Sequence, residues 1–252
     1  MSESKRIHFI DQVRGFCVMC MVLFHAMYTL GFMYDYPVAR ELFYFFSHIS
    51  PAFAFAFIMM CGISCTLSRS NLRRSIPIIG ASLVVTLVSV VVMPYAPIYF
   101  GILHLLGVSV LVYSLIERLP FKLNSLAGLI ICLLIFALTY NLPHGYLGFE
   151  GIYKLNLPEN LFESDYFMAF GFISPFSAYS DYFPLIPWFF AFLSGVYAGR
   201  LLKGRYPAFM YKKGIGFLSI LGTNAFVIYV LHQPIIYGVA YILTLIYGGI
   251  IK

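Results

Sequence analysis

Charged residues are scarce in this sequence: Asp, Glu, Lys and Arg together make up 10% of its 252 residues. In soluble domains the charged fraction averages about a quarter. The deficit excludes ordinary soluble enzyme folds and nucleic-acid-binding modules, which need a charged and solvated surface. Hydrophobic residues instead reach 61%, so the composition predicts an integral membrane protein whose first partner is the lipid bilayer.

Cysteines are also few, and the five of them, an odd number, all fall inside apolar runs. This pattern argues against a disulfide framework and predicts small buried thiols. A metal site built from Cys17, Cys20, Cys61 and Cys65 is the disfavoured alternative, because the thiols would have to lose their protons at membrane depth. We therefore expect no metal ion.

Long apolar runs bounded by helix breakers dominate the rest of the chain. A membrane-spanning helix needs roughly 20 apolar residues. The runs predict seven spans, at residues 13–34, 42–67, 75–93, 98–116, 123–140, 182–202 and 217–249, the last one kinked at Pro234. The predicted fold is an all-α polytopic membrane helix bundle that forms a single domain over residues 1–252.

The basic residues predict the orientation of these spans. Most of the sixteen lie in the N-terminal segment and in the loops after the second, fourth and sixth spans: Lys5, Arg6, Arg14, Arg69, Arg73, Arg74, Arg118, Lys122, Arg200, Lys203, Arg205, Lys212 and Lys213. Such an excess is typical of cytoplasmic loops, so the N-terminus is predicted to be cytoplasmic and the C-terminus external. The long connection at residues 141–181 is then external, and whether residues 166–176 re-enter the membrane stays open.

Histidines at membrane depth are the first candidate functional residues, because ionisable groups are costly there. Arg14 and His25 share one face of the first span and lie about 16 Å apart along it. By the same helical rise, His48, His104 and His232 fall near the depth of His25. Each histidine has a structural alternative, a neutral hydrogen bond between helices. A zinc or iron cluster is disfavoured because no carboxylate shares this depth.

The cytoplasmic loop after the second span is the second candidate site. It places Arg69, Arg73 and Arg74 beside capping residues and a helix start near Pro77. Guanidinium groups and helix N-terminal amides both favour phosphate oxygens. The alternative is a topological determinant that contacts lipid head groups. In the first span, Asp11 is open to either an ion pair with Arg14 or a ligand-binding role.

Four stretches of the sequence carry a family resemblance. They are IDQVRG at residues 10–15 running into MVLFH at 21–25, FGILHLLG at 100–107, DYFPLIPW at 181–188, and GTNA at 222–225 with YVLHQ at 229–233. Together they resemble short bacterial relatives of heparan-α-glucosaminide N-acetyltransferase. The spacing of ten residues between Arg14 and His25 is also that of the wider group of transmembrane acyltransferases.

The resemblance implies an enzyme of the bacterial inner or plasma membrane. It implies an acetyltransferase that takes acetyl groups from cytoplasmic acetyl-CoA and delivers them to an amino sugar or envelope glycan. His25 would act as the base or as an acyl relay. His104, His232 and Asn224 would orient groups or donate to an oxyanion, and Asp181 would bind the acceptor amine or anchor the external lid. Arg14, Arg69, Arg73 and Arg74 would hold the CoA phosphates, Arg73 first among them.

Several alternatives remain open at this stage. Animal members carry a histidine in the loop after the first span, and residues 35–41 here contain none, so N- and O-acetylation are both possible acceptor chemistries. A histidine-lined small-solute or proton-coupled carrier is the competing function, although the chain shows no internal repeat of the kind common in transporters. The third functional hypothesis is a non-catalytic subunit of a membrane complex. The sequence also leaves open whether the protein forms a homodimer.

Overall fold

The computed structural model describes residues 6–120 and 123–247. Lys5 and Lys122, which the orientation prediction uses, lie outside these ranges. The structure is helical, with the helices α1 (His8–Tyr28), α2 (Pro37–Cys65), α3 (Asn71–Val92), α4 (Ile102–Ile116), α5 (Ser125–Thr139), α6 (Leu185–Leu202), α7 (Gly216–Thr223) and α8 (Ala225–Tyr247). A π-helical turn, Thr29–Met33, extends α1.

Six of the helical segments are long and apolar enough to cross a membrane: His8–Met33, Pro37–Cys65, Asn71–Val92, Ser125–His144, Leu185–Leu202 and Ala225–Ile246. The helix α4 is apolar but shorter, with 15 residues. These helices confirm the prediction of a polytopic membrane helix bundle with about seven crossings. The chain is therefore a multi-pass membrane protein.

The last predicted span, 217–249, is wrong as a single helix. The chain divides into α7 and α8 at Asn224, whose side-chain amide donates to the carbonyl oxygen of Ile220 at 2.9 Å. A side-chain amide that bonds the local backbone competes with helical hydrogen bonds, which explains the break. Pro234, the predicted kink, lies inside α8. The fourth span begins at Ile102 rather than at residue 98, after Gly101 in extended backbone.

The candidate span Ser125–His144 reaches into the long connection, and the remaining residues, 145–181, fold as a compact segment without a spanning helix. A two-stranded antiparallel hairpin, β1 (Tyr146–Phe149) and β2 (Tyr153–Asn156), pairs Tyr146 with Asn156. A short 3₁₀ helix, Asp165–Phe170, follows it. The Asp165 carboxylate accepts hydrogen bonds from the Ser174 amide (2.8 Å), the Ser177 hydroxyl (2.5 Å) and the Tyr179 hydroxyl (2.6 Å). This carboxylate therefore ties the second half of the segment together.

The charge of Asp165 makes this segment sensitive to acid. Partial burial opposes the charged form, but the three hydrogen bonds outweigh it and hold the pKa of Asp165 below its usual range. The stability that the charged Asp165 carboxylate contributes is fully present above its pKa in the unfolded chain, which is near 4. This stability is lost as the pH falls through the lower pKa of Asp165 in the folded protein. We expect Asp165→Asn to lower the thermal stability at pH 7, and this deficit relative to wild type to shrink as the pH falls below about 4. Thermal unfolding in nanodiscs between pH 7 and 2 measures the difference, and a deficit that is constant over this range would contradict the prediction.

The helices pack in two compact units. One unit contains the described residues of Met1–Phe57 and Tyr206–Lys252, and the other is Ile58–Arg205. In the first unit α1 packs against α7, and a β-carbon at Gly222 would overlap the carbonyl oxygen of Asp11. In the second unit α3 packs on α4 and α5 on α6, and a β-carbon at Gly62 would overlap the carbonyl oxygen of Phe192. Glycines thus let helix backbones touch, as is common in membrane bundles.

The connections between successive helices of the second unit lie at alternate ends of that unit, as the span prediction requires. The Asn71 amide, at the start of α3, donates to the Glu117 carboxylate just after α4. Near the opposite ends of these helices, the backbone amide of Phe183 donates to the carbonyl oxygen of Phe100 at 3.0 Å. The connections after α2 and α4 therefore lie at one end of this unit, and those before α4 and α6 at the other.

Candidate functional site

Two of the predicted histidines meet in the first unit. His25 lies on α1 and His232 on α8, and these two helices pack against each other. The two imidazole rings have centroids 5.0 Å apart with an interplanar angle of 53°. The structure therefore brings His25 and His232 into one pair.

Gln233, which follows His232 on α8, is a polar neighbour that the sequence reasoning missed. Its amide nitrogen lies 3.2 Å from Nδ1 of His25. The Nδ1 of His232 lies 2.5 Å from the carbonyl oxygen of Tyr229 on the same helix. Each histidine of the pair is thus held through its Nδ1. The signal in the sequence was the position of Gln233 inside the stretch at 229–233 that carries part of the family resemblance.

Three polar atoms of this part of the fold are buried without a protein hydrogen-bond partner among the described residues. They are Nε2 of His232, Oε1 of Gln233 and Oγ1 of Thr29. Thr29 lies one turn beyond His25 and begins the π-helical turn, which α8 also contacts. Buried polar atoms are usually paired, and π-helical turns are frequent at functional sites. We refer to His25, Thr29, His232 and Gln233 as the histidine cluster, and its unpaired atoms suit a polar ligand or water.

Arg14 and Asn224 belong to the same unit as the histidine cluster. Arg14 is half-buried on α1, about 16 Å along the helix from His25. Asn224 is exposed, and its amide donates to the backbone at the end of α7, so the structure uses this side chain locally. Asp11 accepts a hydrogen bond from Nε of Arg6 at 2.8 Å.

His104 lies in the second unit, where both of its ring nitrogens have partners. Nδ1 accepts from the Gly101 amide at 3.2 Å, and Nε2 lies 3.0 Å from Oγ1 of Thr86. The Thr86 hydroxyl donates to the carbonyl oxygen of Ile98 at 2.8 Å, so Nε2 of His104 is the donor to Thr86. His104 is 9% exposed. It closes the connection between α3 and α4 and has no nitrogen left to act as a base.

Asp181 lies near the same end of α4. Its Oδ2 accepts from the Ile102 amide at 3.3 Å, at the first residue of the helix. A carboxylate at a helix N-terminus satisfies a free amide and complements the helix dipole. Of the two predicted roles, this contact favours anchoring of the external segment over binding of an acceptor amine.

The predicted phosphate-binding arginines divide into two kinds. Arg69 and Arg73 are exposed at the start of α3, where the Ser70 hydroxyl caps the helix by accepting from the Arg73 amide. The side chain of Arg74 turns inward, with guanidinium nitrogens 3.7 Å and 3.8 Å from the sulfurs of Cys61 and Cys65. Arg69 and Arg73 are therefore accessible to a soluble anion, and Arg74 is partly committed to the thiols.

Arg200, at the end of α6, is a second residue that the sequence reasoning did not assign to the site. One of its guanidinium nitrogens donates to the Tyr113 hydroxyl at 3.3 Å. The guanidinium carbon lies 5.8 Å from the centroid of the Tyr113 ring and 5.4 Å from that of Tyr197. These distances are within cation–π range. The sequence showed Arg200 only as one of many basic residues at the ends of spans.

Among the described residues, no three or more His, Cys, Asp or Glu side chains form a group that could hold a metal ion.

The family model described as "Heparan-alpha-glucosaminide N-acetyltransferase, catalytic" matches residues 6–234. This range includes the histidine cluster and all nine predicted site residues. No curated protein and no solved structure gives a significant match to the chain.

Proposed function

Because the chain belongs to the heparan-alpha-glucosaminide N-acetyltransferase catalytic family, we propose that it transfers acetyl groups from acetyl-CoA to an amino sugar or envelope glycan. The observation that carries the proposal is a match over residues 6–234 to a family of membrane acetyltransferases, in a chain with the apolar helices of a multi-pass protein. We further propose that it does so in a bacterial cell membrane, with the donor on the cytoplasmic side.

The accessible arginines support the donor side of this proposal. CoA carries a pyrophosphate and a 3′-phosphate, so its binding needs cationic groups at an aqueous surface. Arg69 and Arg73 are exposed beside the capped N-terminus of the 22-residue helix α3, where backbone amides also favour anions. Arg74 and Arg200 add positive charge within the same unit. Arg14 remains a proposed CoA residue on α1.

The histidine cluster supports the chemical step. Transfer of an acetyl group needs a base for the acceptor proton and a hydrogen-bond donor for the developing oxyanion. His25 and His232 provide two imidazoles whose ring centroids lie 5.0 Å apart, and Nε2 of His232 is buried without a partner among the described residues. His104 and Asp181 are proposed as positioning residues, since their polar atoms hold the start of α4.

The decisive experiment uses the full chain, purified and placed in nanodiscs. Binding of acetyl-CoA is measured by calorimetry, and transfer of labelled acetyl is followed in a single turnover with glucosamine and with mixed glycan acceptors. Binding with transfer supports the proposal. Absence of donor binding overturns the proposal and favours the histidine-lined carrier, because an unsuitable acceptor cannot explain a missing donor complex.

Removing an exposed arginine tests the donor site directly. We expect Arg73→Ala to weaken CoA binding about fivefold to tenfold, because a charge-assisted hydrogen bond to phosphate contributes roughly 1–1.5 kcal/mol at an exposed position. The loss should be smaller for dephospho-CoA if Arg73 contacts the 3′-phosphate. Arg118→Ala is the matched control, since Arg118 is another exposed basic residue predicted to be cytoplasmic. Equal affinity of Arg73→Ala and wild type at moderate salt would contradict the phosphate assignment.

A further inference from the structure

We infer that His232 is the general base of the proposed acetyl transfer and that His25 presents an N–H to the carbonyl oxygen of the acetyl group. This assignment rests on the proposed function and gives each histidine a distinct role. It differs from the sequence expectation, in which His25 was the base or an acyl relay and His232 an orienting residue.

The partner of His232 determines which of its nitrogens carries hydrogen. Its Nδ1 lies 2.5 Å from the carbonyl oxygen of Tyr229, and a carbonyl oxygen can only accept. Nδ1 must therefore donate, and in a neutral imidazole the other nitrogen then has a free lone pair. That nitrogen, Nε2, is buried and has no partner among the described residues. His232 as a residue is 7% exposed, so the lone pair is free to accept a hydrogen from a group that enters the site.

The partner of His25 gives the opposite tautomer. The Gln233 amide nitrogen, 3.2 Å from Nδ1 of His25, carries two hydrogens and can only donate. Nδ1 of His25 is then the acceptor, and the hydrogen of the neutral ring lies on Nε2. His25 thus presents a donor and His232 an acceptor, on two rings whose centroids are 5.0 Å apart.

These two nitrogens match the two needs of acetyl transfer. The acceptor oxygen or nitrogen forms a bond to the acetyl carbon, and its proton passes to Nε2 of His232. The carbonyl oxygen gains negative charge during this step and accepts a hydrogen bond from Nε2–H of His25. The carbon–sulfur bond of the thioester then breaks, and the departing thiolate of CoA takes the proton from His232. Both histidines and the charge balance are restored at the end of the turnover.

The tautomers can be measured without any substrate. In proteoliposomes of the full chain labelled with ¹⁵N-histidine, solid-state NMR distinguishes a ring protonated at Nδ1 from one protonated at Nε2. Signals are assigned by comparison with His25→Gln and His232→Gln. We expect His232 to be protonated at Nδ1 and His25 at Nε2. The reverse pattern, which a Gln233 amide turned by 180° would produce at His25, overturns the assignment.

Gln233→Glu tests the link between the tautomer and the reaction. A carboxylate can only accept, so it draws hydrogen to Nδ1 of His25 and removes the N–H from Nε2. We expect the NMR signal of His25 to change to the Nδ1-protonated form and the transfer rate to fall about 100-fold, with acetyl-CoA affinity unchanged. Gln233→Leu, which removes the donor without imposing an acceptor, is the second variant if the charged one fails to fold. A tautomer change without a loss of rate overturns the role of His25.

The base is tested by His232→Ala, for which we expect a loss of at least 100-fold in single-turnover transfer with donor binding retained. Transfer at the wild-type rate in this variant overturns the role of His232, whatever the tautomers are. Failure of the proposed function is recognised separately, because wild type would then neither bind acetyl-CoA nor transfer its label. Donor binding and transfer by wild type with reversed tautomers would instead leave the function standing and the role assignment overturned.

Discussion

Replacing His25 with alanine is expected to lower single-turnover acetyl transfer by roughly 100-fold to 1,000-fold, the usual effect of losing one oxyanion donor. The ring of His25 is half-buried on α1, beside the His232 ring and within hydrogen-bond distance of Gln233. Alanine removes the N–H that would stabilise the oxyanion and also leaves the Gln233 amide without this partner. Acetyl-CoA affinity should stay within about twofold of wild type, because the predicted donor contacts are arginines.

His48→Ala is the matched control for this measurement. His48 lies on α2 in the same unit, is exposed, and has its Nδ1 2.7 Å from the carbonyl oxygen of Tyr44 on its own helix. We expect this variant to transfer acetyl groups at the wild-type rate. Equal rates for His25→Ala and wild type would place the chemistry elsewhere, and a parallel loss in both variants would indicate damage to the fold.

Gly222→Ala is expected to lower the apparent melting temperature by roughly 5–10 °C, since overpacking costs about 1–3 kcal/mol and often more where backbone is involved. A β-carbon at Gly222 would overlap the carbonyl oxygen of Asp11, and one at Gly15 would overlap that of Leu218. Both obstacles are backbone atoms, so no side-chain rotation relieves them and α1 and α7 must move apart.

Gly238→Ala is the control for this prediction. Gly238 also lies in a helix of the first unit, but a β-carbon there has no other heavy atom within 4 Å. Alanine favours a helix over glycine, so this variant should keep or slightly raise the melting temperature. Thermal unfolding of both variants in the same nanodisc composition measures the contrast. Equal melting temperatures would contradict a close contact between α1 and α7.

The helices could be predicted because each apolar run carries its own signal. Composition and span length determine which segments enter a bilayer, and most predicted bounds agree with the observed helices to within a few residues. The exception at Asn224 arose because the side chain of one residue closes α7 through a local hydrogen bond. Apolar residues continue on both sides of Asn224, so hydropathy alone could not show the break.

Only the position of each site residue along its helix axis could be predicted from the sequence. The helical rise per residue gives the depth of a residue in the membrane, and it placed His25 and His232 at a similar depth. The lateral position of a residue depends on which helices pack together, and the sequence does not give that. The same limit applies to His104, whose depth was similar although its two ring nitrogens bond to Gly101 and Thr86. It applies to Arg74 as well, because its turn toward Cys61 and Cys65 depends on packing between α2 and α3.

The π-helical turn at Thr29–Met33 makes chain length critical just beyond the histidine cluster. Such a turn holds one residue more than an α-helical turn. Deleting one residue here would restore a regular helix, and the backbone beyond it would rotate by about 100° about the axis. The Arg40 guanidinium, which donates to the carbonyl oxygen of Gly31 at 3.1 Å, would lose its register with α1. Natural variation in this segment should therefore consist of substitutions at constant length, with single-residue insertions and deletions eliminated by selection.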